Sequence, residues 1–233
     1  MVRRSPRQLS SQDHRKHTGH GGPREGAGRP TLSPRPPVHH VHRPGVPRGC
    51  PAHVTLRVRR GVPSLRRRGF VREFRRSLAL ACERGEFRVC HYSIQRDHVH
   101  FIVEAAGKEA LGRGMKSVGA RLARAANRVF KSSGPVLYGR YHLQILRAPR
   151  QVRNAIAYVL LNARKHSRQR TGAAPPVRLD EASSGGTFEG WRRSPPGEAT
   201  PGRGVARPRS WLLKTGWRRH GLIDPMEVPG TAR

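Results

Sequence analysis

The 233-residue chain carries 47 lysines and arginines against 14 aspartates and glutamates, a net charge of +33 at neutral pH. A surface of that sign collects polyanions, nucleic acid above all, by releasing condensed counterions. No apolar run approaches the ~20 residues of a membrane span, no apolar segment follows the basic N-terminus as a secretory signal requires, and Cys50, Cys82 and Cys90 fit neither a disulfide framework nor a paired metal-ligand spacing, so a cytoplasmic protein is expected.

Residues 1–50 are rich in Pro, Gly, His and Arg and have almost no apolar periodicity, which predicts a basic, disordered arm. His39, His40 and His42, with Cys50 and His53 beyond, match no finger spacing and read as polar sequence. A folded domain is expected over residues 51–168. It opens with a strand in which Val54, Leu56 and Val58 alternate with Thr55, Arg57 and Arg59, and Gly61 and Pro63 end it. Helical period follows over residues 69–84, with Phe70, Phe74, Leu78 and Ala81 on one face and Gly85 placed just after the end. Residues 87–94 and 99–104 are two β-rich runs joined by Gln95, Arg96 and Asp97 in a hairpin. A helix over residues 109–130 buries Leu111, Met115, Val118, Leu122 and Ala126. It leaves Lys116, Arg121, Arg124 and Arg128, with Lys131 just beyond, as a basic surface for DNA phosphates. Residues 141–146 form a fourth strand and residues 150–166 a last helix. The order β-α-β-β-α-β-α predicts an α+β fold, a ferredoxin-like or RRM-like four-stranded antiparallel sheet with packed helices. Residues 169–233 form a basic tail in which Trp191, Trp211, Leu212, Leu213, Trp217, Leu222 and Ile223 mark the parts expected to dock.

The clearest chemical signal is Asp97-His98-Val99-His100-Phe101-Ile102-Val103-Glu104. With period two, His98 and His100 share one face of a strand, while Val99, Phe101 and Val103 take the other. Two imidazoles about 6–7 Å apart along one strand can hold a single divalent ion. On the last helix, steps of about 100° gather Val152, Ile156, Val159, Leu160 and Ala163 on one side. Tyr158 and Asn162 fall on the opposite, polar side with Lys165 close by, and being four apart they are surface neighbours. A tyrosine kept for packing belongs in the apolar stripe, and this one lies outside it. The plan in which converging carboxylates hold two metals is poorly supplied: between residues 51 and 168 the acids are Asp97, Glu73, Glu83, Glu86, Glu104 and Glu109, with no cluster among them. Tyr92, Tyr138 and Tyr141 are rival nucleophiles, but none has a helical Asn partner on a polar face.

The His-x-His strand, the helix Ala157-Tyr158-Val159-Leu160-Leu161-Asn162-Ala163-Arg164-Lys165-His166 and the strand Gly139-Arg140-Tyr141-His142 together resemble the HUH single-tyrosine transposases. Among these they resemble most the bacterial REP-associated tyrosine transposases, with their insertion-sequence-like transposase domain. The resemblance spans residues 51–168. It implies that His98 and His100 are metal ligands, that Asn162 stands where the family has a polar third ligand, and that Tyr158 is the nucleophile. It further implies a divalent metal, Mg²⁺ or Mn²⁺, with imidazole ligands leaning toward Mn²⁺. The reaction implied is cleavage and rejoining of single-stranded DNA through a 5′-phosphotyrosine, on a hairpin or palindromic repeat. The protein would act as a monomer or homodimer at the bacterial nucleoid. Members commonly carry Asn-Pro where this chain has Asn162-Ala163, and their ends are shorter. Two other readings compete: a non-catalytic RRM-like module for single-stranded nucleic acid, and a domesticated derivative that keeps hairpin binding without transposition. Against the first, Phe87 and Tyr92 are expected on opposite faces of their strand and Phe101 points away from the histidines, so no RRM-type aromatic cluster forms.

Overall fold

The computed structural model describes residues 45–172, 179–195 and 204–230, so the expected arm lies outside the described residues as far as residue 44. The expected element order is present with one addition. In sequence order come β1 (Ala52–Arg57), α1 (Arg68–Ala79), β2 (Glu83–Arg84), β3 (Phe87–Ile94), β4 (His98–Ala105), α2 (Lys108–Phe130), β5 (His142–Ile145) and α3 (Pro149–Thr171). The five strands make one sheet in the order β2-β3-β4-β1-β5, with every neighbouring pair antiparallel. Without the two-residue β2 this is the ferredoxin-like arrangement, in which β1 is inserted between the last strand and the second hairpin strand.

Two local expectations are corrected. The helix expected as far as residue 84 stops at Ala79, because Glu83–Arg84 pairs with β3 instead. Gly85, at φ +53°, opens a two-residue hairpin turn where a side chain would be strained. Across that hairpin the Arg88 guanidinium donates to Glu83 at 2.8 Å. The second correction concerns β3, whose pairing with β4 shifts between Val89 and His91. The extra residue, Cys90, is a β-bulge, and it reverses the face of everything that follows. Phe87 and Tyr92 therefore lie in the same apolar cluster rather than on opposite faces.

Both faces of the sheet are covered. On one, Val54, Leu56, Val99, Phe101 and Val103 meet Phe70, Phe74 and Leu78 of α1 and Leu111, Met115, Val118 and Leu122 of α2, all buried. Helix α2 approaches β3 so closely at Gly114 that a Cβ there would stand 2.2 Å from the Phe87 ring. On the other face, Cys90 and Ile102 meet Val152, Ile156, Val159 and Leu160 of α3, together with Leu213, Trp217 and Ile223 of the tail.

The tail is tied down by hydrogen bonds as well as by those three apolar anchors. Residues 182–184 run along the outer edge of β3, where Ile94 N–H donates to Ala182 (2.8 Å) and Ser184 N–H to Tyr92 (3.0 Å). They cover an edge that would otherwise be open to another chain. Asp180 receives both arms of the Arg66 guanidinium at 2.9 and 2.7 Å. The buried Glu104 carboxylate accepts the N–H groups of Arg209 and Ser210, both at 2.8 Å, at the start of a short helix α4 (Trp211–Lys214). Trp211 and Leu222, expected to dock, remain exposed.

Candidate active site

Strand period builds the site on the α3 face of the sheet. One cross-strand row carries His142 of β5, Thr55 of β1, His100 of β4 and Ser93 of β3. The next carries Gln144, His53, Ile102 and His91. His98 stands opposite Arg57 at the start of β4. The apolar alternates of the same strands anchor the opposite core, so the polar row is fixed from beneath.

The imidazoles touch. His98 Nε2 and His100 Nε2 are 3.0 Å apart. The Asp97 carboxylate, an acceptor, lies 2.8 Å from His98 Nδ1, which fixes the proton on Nδ1 and leaves the Nε2 lone pair facing His100. On its other side His100 Nδ1 is 3.0 Å from Thr55 Oγ1 and 3.1 Å from His53 Nε2. A proton on His100 Nδ1, donated to Thr55 or His53, leaves two Nε2 lone pairs converging. This carboxylate-to-imidazole support is the usual outer shell of a metal-ligating histidine.

Burial holds two of the rings, His100 and His53, neutral. His100 is pushed down to about 2, first by desolvation and then by His53, His98, His166 and Arg57. His53 is lowered to about 4 by burial and by His142, against an opposing hydrogen bond from Gln144. A neutral imidazole is the form that binds a cation, so ligation needs no proton to be displaced from them at neutral pH.

Helix α3 brings Tyr158 onto this row. Its ring meets His100 edge-on at 5.1 Å between centroids and His53 at 5.8 Å, and Lys165 Nζ sits 5.0 Å above its face. Burial raises the pKa of the phenol, so it is protonated and needs activation before it can attack. Asn162, expected on a solvent-facing polar side, is instead fully buried. Neither atom of its amide has a hydrogen-bond partner among the described residues. An orphaned buried amide costs about 1–3 kcal/mol unless something binds it. Among the described residues no three His, Cys, Asp or Glu side chains gather to hold a metal. The neutral donors that α3 and β4 offer on this face are the two converging imidazoles and the unpartnered Asn162 amide.

The structure separates the other expected site residues. Lys165 lies at the tyrosine, but Lys116, Arg121, Arg124, Arg128 and Lys131 belong to α2 and its end, on the opposite layer. Two of these are already engaged: Arg121 donates to the Ser77 carbonyl at 3.2 Å and Arg128 to Glu73 at 2.5 Å. Of the rival tyrosines, Tyr92 is buried in the α1/α2 core and Tyr138 is exposed. Sequence reasoning missed His53, Thr55 and His142. Their signal was available in the polar alternates of β1 and β5, once those strands are set beside β4.

Residues 48–145 match the family model for IS200-like transposases. The match covers under half of the chain and supports the IS200-like, single-tyrosine HUH transposase family. A transposase-like role on DNA is what this match supports. The matched stretch runs from just before β1 through β5, and so contains the His-x-His strand but stops short of α3. Among solved structures, a REP-associated tyrosine transposase bound to a REP hairpin is 14% identical, covering 72% of this chain and 98% of that one at a TM-score of 0.44. A bacterial tRNA(His) guanylyltransferase-like protein in complex with GTP is 12% identical, covering 59% of this chain and 76% of that one at a TM-score of 0.39. Its complex with ATP is also 12% identical, with 55% and 62% covered at the same TM-score of 0.39. Likeness at this level says nothing of function. No curated protein matches the chain. Among the described residues no helix is long and apolar enough to cross a membrane.

Proposed function

We propose that the chain cuts and rejoins single-stranded DNA by transesterification, with Tyr158 as nucleophile. The observation that carries this is the edge-on contact of Tyr158 with His100, itself paired with His98, under the Lys165 ammonium. The phenol oxygen attacks a backbone phosphorus and the bond from that phosphorus to the 3′ oxygen breaks. The phenolic proton is lost and the leaving 3′ oxygen gains one, giving a 5′-phosphotyrosine and a free 3′-OH. Rejoining is the reverse attack by a 3′-OH, so no nucleotide cofactor is consumed. His98, His100 and Asn162 would hold a divalent ion, Mg²⁺ or Mn²⁺, which when bound supplies charge neutralisation at the scissile phosphate. Asp97 and Thr55 orient the two imidazoles, and Lys165 sits over the face of the tyrosine ring. A hairpin-forming strand is the substrate form that the resemblance implies.

A non-catalytic sheet-binding module is the weaker reading. RRM-type binding needs an open sheet face on which bases stack, and here α1 and α2 cover one face while α3 and the tail cover the other. The test is incubation with end-labelled single strands and Mn²⁺, followed by denaturing electrophoresis and peptide mapping. A denaturant-resistant adduct on Tyr158 is expected. An adduct on another residue overturns the nucleophile, and no adduct with any strand leaves the binding module.

A further inference from the structure

A cavity lies on the same sheet face, at the β3 side and beneath the docked tail. It measures about 580 Å³, within the range of small-ligand sites. Its floor is Cys90 and His91, the two residues that the β3 bulge turns to this side. Phe188 and Trp217 line it, and Arg207, Lys214 and Arg218, all exposed, set a positive rim against one acid, Glu189.

His91 is the residue that calls for a ligand. It is only 7% exposed, and its Nδ1 is buried with no hydrogen-bond partner among the described residues. Its ring is held edge-on to Phe188 at 5.4 Å, so it cannot readily turn to find one. Natural interiors rarely leave such a group unpaired, and an exception calls for an explanation. Histidine offers a donor or an acceptor according to tautomer, which suits the edge of a heterocycle.

We infer that this cavity binds one unstacked nucleotide of the DNA strand, with its base against His91 and Phe188 and its phosphate on the Arg207, Lys214 and Arg218 rim. Aromatic walls with a basic margin are how single strands are held base by base. A nucleotide fits the volume, the apolar walls, the one buried polar group and the sign of the rim together. Inorganic phosphate would use the rim and leave His91 unpaired. The inference rests on the reading of the chain as an enzyme of single-stranded DNA, and it adds a contact separate from the tyrosine site.

The full chain, titrated by calorimetry with each of the four deoxynucleoside 5′-monophosphates and with inorganic phosphate, tests it. At least one mononucleotide should bind more tightly than phosphate. His91→Phe, which keeps the ring volume but loses the polar atom, should weaken that binding about tenfold and leave phosphate unchanged. Lys214→Glu, on the exposed rim and safe for folding, should weaken both. Equal affinity for mononucleotides and phosphate, or mononucleotide binding unaffected by both variants, overturns the proposal. Adduct formation at Tyr158, measured on the same preparations, separates the two readings. An adduct without pocket binding sinks the cavity alone, and pocket binding without an adduct sinks the nucleophile alone.

Discussion

The two faces of one sheet follow different rules. On the α1/α2 side, the cluster that fills the space between strands and helices is apolar throughout, apart from the Tyr92 hydroxyl. On the α3 side lie the strands' buried polar residues Arg88, His91, Ser93, His100 and Glu104, with Asn162 and Arg164 contributed by the helix. Burial of apolar area stabilises the first face at roughly 25 cal/mol per Å². The second face gives up part of that gain to keep imidazoles, an amide and a phenol in fixed positions. Stability and chemistry are thus divided between alternate residues of the same strands, and substitutions one residue apart should have opposite consequences.

The sharpest way to break this division is to remove chemistry without touching the core. Tyr158→Phe should abolish both cleavage and the covalent adduct, and His100→Ala should lower cleavage by at least about a hundredfold. Both should keep their circular dichroism and their affinity for single strands. Cleavage by either at the parent rate would show that the α3 face is not the reactive one. Next in size is Phe101→Ala, adjacent to His100 but on the other face. It should cost about 3–5 kcal/mol in denaturant unfolding, yet leave adduct formation per folded molecule unchanged.

A third contrast is in pH. His91 is buried on the α3 face and lowered to about 4 by desolvation. The unfolded chain takes up that proton near 6.5 and the folded one does not, so its contribution is fully present above pH 6.5. It is lost as pH falls toward 4, by up to about 3 kcal/mol. Unfolding at several pH values should show this slope, and His91→Phe should lessen it by one proton's share, leaving that of His53 and His100. A slope unchanged in that variant would place the titration elsewhere. The smallest effect concerns the exposed cations of α2. Lys116→Ala, Arg124→Ala and Lys131→Ala together should reduce the salt dependence of single-strand affinity by about 2 in log–log slope, at about 0.7 per phosphate. Cleavage per bound strand should not change. A loss of cleavage would mean that the strand is threaded across both layers.

Much of the α1/α2 face was legible in the sequence because one rule governs it. Val54 and Leu56, Val99 and Phe101, and Phe70, Phe74 and Leu78 sit at the spacing of their element, and all are buried. The His-x-His pair was legible for the same reason. The bulge at Cys90 was not, since one extra residue in a strand leaves no mark on composition yet turns Tyr92 over to the face of Phe87. Helix α3 misled in a different way. Period alone assigns it one wet side, but Ala157, Leu161 and Asn162 are buried as well as the apolar stripe, because the C-terminal segment packs over it. There Arg153 pairs with Glu227 at 2.7 Å and Arg164 reaches the Met226 carbonyl at 3.4 Å. The charge run of α2 named cations correctly but could not say which layer they occupy.

Hydrogen bonds join His100 to His53 and Thr55, partners 47 and 45 positions away in the chain. The β3–β4 hairpin can close on its own as it is made, but the imidazole row needs β1 seated beside β4, and the phenol arrives only with α3. Closures over such distances come late, because chain entropy must be lost before they are rewarded. On the proposed mechanism, a chain in which α3 has not yet docked holds its histidines but not its nucleophile, and should form no adduct.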